Sequence, residues 1–357
     1  MSSSLSLPSH LHQVPLPQSL PPLLIVAFTR PDLLQDVLEA IRDQTLLPEK
    51  ILAFVDGART PADTPLIQQC VSLLKNFSTF VPVEITTRPQ NLGYRNAVQA
   101  LTEVLSTHPA VVLLEDDTVP NPYFYDRMCR LLEAYRPHSH IFSVSAYANF
   151  PSGIDQQIDA DFMISRRIFS WGFATWADRW HSIALAKCPQ GFNPFGCCWQ
   201  IPATLQTQYT IVNQFFLEKN KQADWVITMT LATLHQGYVH LTPMMSLTKN
   251  IGFGHPRAKH YKKPGPEPTW VNAHFDVSAC PDRLPDSLEL LDLLRVPLTG
   301  SALIKHLSKQ PEVWLTPTDI WHLLRRYPDW HSTLSILQLG FSRLPQMLKR
   351  WNHSRCS

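Results

Sequence analysis

The sequence predicts an α/β fold, a mostly parallel central sheet with helices on both faces and a C-terminal helical extension. Three observations carry that expectation. Over the first 150 residues, short apolar runs of strand length alternate with segments whose apolar residues recur at helical spacing. The runs are continuously apolar, as in strands covered on both faces. One of them, Ala110-Val111-Val112-Leu113-Leu114, passes straight into Glu115-Asp116-Asp117, so a buried strand ends in a polar site.

Taken in order, Leu23-Leu24-Ile25-Val26-Ala27-Phe28 reads as a first strand that stops at Thr29-Arg30-Pro31. Pro31 suits the first turn of a helix, and Leu33, Leu34, Val37, Leu38 and Ile41 then fall on one helical face to about residue 44. A second strand over residues 51–55 ends in Asp56-Gly57; a helix near 66–75 leads to a third strand around 83–86. A polar turn, Arg88-Pro89-Gln90-Asn91-Leu92-Gly93-Tyr94-Arg95, enters a helix ending near Leu105. The acidic strand follows, then a helix starting at Asn121-Pro122 and a strand over 141–145. Ligands on such sheets sit beyond the carboxyl ends of the strands, so Arg30, Asp56 and the Glu115–Asp117 triplet should face one crevice.

Composition narrows the function classes. Apolar residues make up 44% of the 357-residue chain and charged residues 17%, which is globular rather than disordered. Net charge is +2, without the basic footprint of a nucleic-acid binder. The seven cysteines form no C-x-x-C and read as scattered thiols of a reducing compartment. Residues 1–20 lack the basic start of a signal peptide, and no apolar run reaches membrane-spanning length. The expectation is a cytoplasmic protein, at most peripheral to a membrane.

Three adjacent carboxylates at an apolar strand end repel one another, and a hard divalent cation, Mg²⁺ or Mn²⁺, is the usual compensation. The competing reading is a structural acidic end capping the next helix. A Walker B strand is excluded, because no G-x-x-x-x-G-K-[ST] occurs.

Beyond about residue 150 the texture changes. Phe169-Ser170-Trp171-Gly172-Phe173-Ala174-Thr175-Trp176-Ala177-Asp178-Arg179-Trp180 reads equally as a second aromatic core or as a platform lining the crevice. Asp224 precedes an apolar helix over 226–234 and suits either an N-cap or a general base. Residues 243–255 read as a strand into a glycine-containing loop, and Lys259, His260, Lys262 and Lys263 follow as either a phosphate-closing or a solvated loop. From about Pro285 short helices follow. The last, near 333–351, is basic and amphipathic, suited to packing or to an anionic membrane surface.

These marks in series resemble a GT-A glycosyltransferase, closest in pattern to the N-acetylglucosaminyltransferase I family and bacterial family 2-like enzymes. The resemblance spans roughly residues 23–260. It rests on Ala27-Phe28-Thr29-Arg30, Asp56-Gly57, Gly93-Tyr94-Arg95, Glu115-Asp116-Asp117, Val144-Ser145-Ala146-Tyr147, Trp171-Gly172, Asp224-Trp225 and Asn250-Ile251-Gly252 with His255.

The resemblance implies a GT-A domain with a nucleotide-sugar-binding half (21–150) and an acceptor or catalytic half (151–284). A flexible tail (1–20) and a helical extension (285–357) would flank it. Arg30, Asp56, Tyr94 and Arg95 would contact the nucleotide, with Asp56 accepting from a uracil ring. Glu115 and Asp116 would lie near ribose and donor sugar, Asp117 would ligate the metal, and Asp224 would be the catalytic base. Trp171, Gly172, Lys249 and His255 are candidates for phosphate or acceptor contacts, with Lys259 a further donor. The implied reaction is inverting, metal-dependent transfer of a hexosyl or N-acetylhexosaminyl group from a nucleotide sugar, a UDP-sugar, to a glycan, lipid-linked or protein acceptor. A sugar nucleotidyltransferase and a non-catalytic carbohydrate-binding protein are the alternatives.

Overall fold

In the computed structural model, the residues described are 8–150, 156, 158–183, 225–258, 267–288, 304–305, 307–308 and 317–353. The chain divides into two units, Met1–Ala184 with Gln236–Leu291, and Leu185–His235 with Asp292–Ser357. The first unit holds an eight-stranded sheet. Its elements are β1 (Leu23–Ala27), α1 (Pro31–Arg42), β2 (Ile51–Val55), α2 (Thr64–Phe77), β3 (Val83–Thr87), α3 (Arg95–Leu105), β4 (Ala110–Glu115), β5 (Thr118–Pro120), α4 (Phe124–Tyr135) and β6 (Ile141–Ser145). Then come β7 (Phe162–Ser165), β8 (Phe173–Trp176), α5 (Ala177–His181), β9 (Val239–Pro243) and β10 (Thr248–Asn250).

The sheet order is β3-β2-β1-β4-β8-β6-β9-β7, with β5 and β10 forming a separate two-stranded ribbon. The β3-β2-β1-β4 half is parallel, as the apolar runs predict. Leu23, Ile25, Ala27, Ile51, Ala53, Val55, Val112 and Leu114 pack with apolar residues of α1, α2 and α4. The helix α3 contributes nothing to that cluster and packs instead on β1, β2 and β4 from the opposite face. The other half is mixed, because β8 runs antiparallel to both β4 and β6.

Several expectations change here. The aromatic run of residues 169–180 is mostly core: Phe173, Trp176 and Trp180 are buried, and Trp176 donates Nε1–H to the Leu132 carbonyl at 3.2 Å. The helix expected at Asn121 begins at Phe124. Buried Asn121 instead makes a turn, its Oδ1 accepting from Tyr123 N–H (3.1 Å) and its Nδ2 donating to the Ala279 carbonyl (2.8 Å). The tail expected over residues 1–20 is anchored from Ser9 onward. Leu11 is fully buried, its N–H donates to the Asp282 carbonyl (2.7 Å), and Leu284 N–H donates to Ser9 (2.9 Å).

In the second unit, α6 (Trp225–His235), α7 (Pro317–Arg326) and α8 (Trp330–His353) are described. No helix among the described residues is long and apolar enough to cross a membrane.

Candidate active site at the strand ends

The parallel register puts the candidate residues on one edge. Leu23 to Val26 pair with Val112 to Glu115, and Leu23 to Ala27 pair with Ile51 to Val55. Arg30, Asp56 and the acidic triplet therefore all leave the sheet at the same ends.

The triplet is compensated by a side chain. Arg30 Nη1 donates to Asp117 Oδ2 at 2.6 Å, and Arg30 Nη2 donates to Asp116 Oδ1. Asp116, only 2% exposed, also accepts from Phe28 N–H at 3.1 Å through Oδ2. Burial pushes the Asp116 carboxyl above its usual range while Arg30 pulls it back. Burial likewise opposes the charge on Arg30, but the two carboxylates hold its pKa well above the ordinary arginine value. A guanidinium 86 and 87 residues away in sequence thus supplies positive charge to Asp116 and Asp117. Here Arg30, expected on the nucleotide, is turned onto the acids.

The ribbon closes over Asp117. Its β5 strand follows the triplet and pairs with β10, Lys249 opposite Val119. Ile251 N–H then donates to the Asp117 carbonyl (2.9 Å), and Gly252 N–H to Asn250 Oδ1 (2.9 Å). A Cβ on Gly252 would overlap Asp117 Oδ2, so only glycine lets this loop cross the carboxylate. Beyond it, His255 Nε2 meets Asp32 Oδ2 at 2.9 Å, tying the loop to the first turn of α1. Burial pushes the Asp32 carboxyl up, but the His255 contact brings it below the ordinary value.

Asp56, 3% exposed, holds a loop. Its Oδ1 accepts from Gly57 N–H (2.9 Å) and Leu92 N–H (2.8 Å), and its Oδ2 from Asn91 Nδ2 (2.9 Å) and Gly93 N–H (2.8 Å). Four donors fill the usual acceptor capacity of a carboxylate. Gly93 has a left-handed φ of 59°, and exposed Tyr94 and Arg95 follow on the lip, the Arg95 guanidinium 6.0 Å from the Tyr94 ring.

Trp171 and Gly172 join this edge through β10, since Thr248 Oγ1 donates to the Trp171 carbonyl at 2.7 Å. Gly172 sits at φ 80°, and a Cβ there would lie 2.7 Å from that of Ala146. The Trp171 ring meets Tyr147 edge-on at 4.7 Å and Phe253 at 5.6 Å. Of the three tryptophans in the aromatic run, this one alone is part of the crevice wall rather than the core.

Residues 23–188, beginning at the first residue of β1, match the family model described as Glycosyl transferase family 2. That stretch is similar to a family 2 glycosyl transferase domain. No curated protein matches the chain. Among solved structures, the chain is similar to S. aureus TarS, with 9% identity, TM-score 0.31, and coverage of 44% of this chain and 28% of that one. A shorter form, TarS 1–349, gives 7% identity, TM-score 0.35, and 65% and 60% coverage. The same form in complex with UDP gives 11%, 0.27, and 38% and 37%. The chain thus spans between 28% and 60% of the length of these structures.

The matched stretch contains Arg30, Asp56, Tyr94, Arg95, the triplet, Trp171 and Gly172; Lys249 and His255 lie beyond it. Lys249 is turned toward Phe275, its Nζ 5.7 Å from the ring. Asp224, Lys259, His260, Lys262 and Lys263 lie outside the described residues.

Reading the sequence missed Arg167. Its guanidinium lies 4.3 Å over Phe169, which meets Tyr147 at 5.3 Å, and its buried Nη1 has no hydrogen-bond partner among the described residues. Burial lowers its pKa to about 10. No motif flagged it, because it follows a four-residue strand with no turn signal.

A divalent cation fits one side of the triplet. Asp117 Oδ2 is engaged by Arg30, while Oδ1 has, among the described residues, only a long contact from Thr118 Oγ1 at 3.5 Å. Mg²⁺ is usually held by one or two carboxylates together with substrate phosphates, so Asp117 Oδ1 suffices as the protein ligand. A different cluster, His10, His12 and Asp282, brings ligand atoms within 4.8 Å of one another, but it belongs to the anchored N-terminal arm and not to this edge.

Proposed function

We propose that the chain is an inverting, metal-dependent glycosyltransferase using a nucleotide sugar, a UDP-sugar, as donor and a glycan, lipid-linked or protein acceptor. The observation that carries this reading is the convergence, at the strand ends of the stretch matching family 2, of Asp116 and Asp117, Arg30 and the loop held by Asp56. A strand-end crevice suits a nucleotide, and fixed positive and acidic groups suit its diphosphate.

In this proposal Asp117 holds Mn²⁺ or Mg²⁺, which supplies Lewis-acid stabilisation of the leaving diphosphate. Arg30 orients Asp117 and limits charge repulsion within the triplet. Glu115 and Asp116 lie toward ribose and donor sugar, and Tyr94 and Arg95 border the nucleotide. The Asp56 carboxylate acts on the base through the 91–93 loop it holds, since its acceptor sites are filled by that loop. Trp171 offers an aromatic wall to the acceptor, and Asp224 takes the proton of the attacking hydroxyl. A single displacement with such a base inverts the anomeric centre.

The test is donor hydrolysis and transfer across UDP- and GDP-sugars, with and without Mn²⁺, in wild type, Asp117→Ala and Asp224→Asn. Asp117→Ala is expected to abolish metal-dependent turnover. Asp224→Asn should keep donor binding and lose about 10²–10⁴-fold in transfer. Near-normal turnover in Asp224→Asn removes that residue from the mechanism, and full activity in chelator removes the metal.

A further inference from the structure

The helix α8 has two apolar sides where a packed surface helix needs one. Ile336, Leu339, Gly340 and Arg343 are on the buried side, with Arg343 Nη2 donating to the Leu307 carbonyl at 3.1 Å. Away from it, Trp330, Leu334, Leu337, Phe341 and Leu344 recur at spacings of four and three, which stacks them in one stripe. All five are exposed, Trp330 at 74% and Phe341 at 68%. The stripe runs about 21 Å at the α-helical rise. Trp321 on α7, 53% exposed, adds a further ring, with the Arg325 guanidinium 5.3 Å from it. Scattered exposed apolar residues are ordinary, but a continuous stripe of bulky ones marks a binding face.

Charge selects the occupant. Exposed Arg325 and Arg326 end α7, just before Trp330, and Lys349 and Arg350 fall in the last turns of α8. Residues 330–357 contain no Asp or Glu. Over residues 317–357 the acids are Asp319 and Asp329, against Arg325, Arg326, Arg343, Lys349, Arg350 and Arg355, so pairing two copies through the stripe brings two segments of the same net positive charge together. An anionic lipid surface answers both features at once, taking the apolar side chains into the acyl boundary and the basic groups among its headgroups. Since no described helix can span a bilayer, the helix lies in the interface plane.

We propose that α8 docks the protein on anionic membrane surfaces through Trp330, Leu334, Leu337, Phe341 and Leu344, with the flanking arginines and lysine as electrostatic anchors. This does not depend on the transferase reading.

The experiment is vesicle co-sedimentation of the full chain without donor or acceptor. It compares phosphatidylcholine vesicles with vesicles containing about one third phosphatidylglycerol, at low and high salt. The wild type is expected on the anionic vesicles, released by salt, and largely absent from the neutral ones. Trp330→Ser with Phe341→Ser should weaken binding by about tenfold or more per side chain, with an unchanged unfolding midpoint because both rings are outside the core. Lys349→Glu with Arg350→Glu provides an independent variant, expected to lose about fivefold per charge removed. Equal binding by wild type and both variants, or no binding by the wild type, overturns the proposal. So does a dimer, seen by light scattering, that the Trp330→Ser/Phe341→Ser protein loses while neither protein binds vesicles.

Discussion

Replacing Arg30 by methionine probes the site most directly, because it keeps much of the side-chain length and removes the charge together with its N–H donors. In the structure Arg30 is 18% exposed in its side chain, and its two partners, Asp116 and Asp117, are 3% and 11% exposed. Removing one partner of a buried ion pair costs about 3–5 kcal/mol, because the charge left behind is desolvated and unpaired. Here two carboxylates lose the same partner, so Arg30→Met is expected at the upper part of that range in urea unfolding at pH 7. Burial already pushes Asp116 upward. Without Arg30 opposing it, the folded carboxyl binds its proton more tightly than the unfolded chain does. The deficit of the variant should therefore shrink as pH falls and grow as pH rises. Adding Asp116→Asn should recover at least about 1.5 kcal/mol, the sign of coupling within one network. Mn²⁺ at a hundredfold excess over its dissociation constant should stabilise the variant by about 2.7 kcal/mol, and the wild type by less at the same concentration. A loss under about 1 kcal/mol, or strict additivity with Asp116→Asn, refutes the view that Arg30 neutralises the triplet.

Two further outcomes follow from the geometry. Gly252→Ala forces a methyl group against Asp117 Oδ2 and within 3.0 Å of Arg30 Nη1, and should cost about 1–3 kcal/mol as overpacking. Under the proposed function it should lower donor turnover more than Gly254→Ala, where an added Cβ meets nothing within 4 Å and the cost comes from the left-handed φ of 74° alone; equal effects on turnover would refute the steric argument. His240, fully buried with Nδ1 2.8 Å from Ser143 Oγ, has its pKa depressed to about 3 by burial. The stability it contributes is complete above the unfolded value of about 6.5 and is lost as pH falls through that value toward 3. That amounts to about 2 kcal/mol at pH 5. His240→Gln should flatten the unfolding free energy between pH 7 and 5 by that amount, and an unchanged slope would show that His240 is not buried neutral.

Much of the parallel half was legible because β1, β2 and β4 are continuous apolar runs bounded by a turn or a charge. Residues 51–55 and 141–145 fold as strands with the expected bounds, and the acidic triplet does end β4. The mixed half was less legible beyond β6. The four-residue strand β8 carries Phe173 and Trp176, whose aromatic character suggests a platform as readily as a core; only pairing with β4 and β6 makes it a central strand. The short β5 ends in Pro120, which argues against a strand until β10 arrives from residues 248–250 to pair with it.

The sequence by itself determined which residues would meet at the strand ends, because apolar periodicity places strands and a parallel sheet aligns their carboxyl ends. Arg30, Asp56 and Glu115-Asp116-Asp117 were found on that basis. Only tertiary structure decided what those residues do to one another. Arg30 reaches both Asp116 and Asp117, and Asp56 is filled by the Gly57, Leu92 and Gly93 N–H groups and the Asn91 side-chain amide. The reason is that charge compensation in a buried site is a matter of a few ångströms. Such distances join residues 35 to 87 positions apart, which no local pattern encodes.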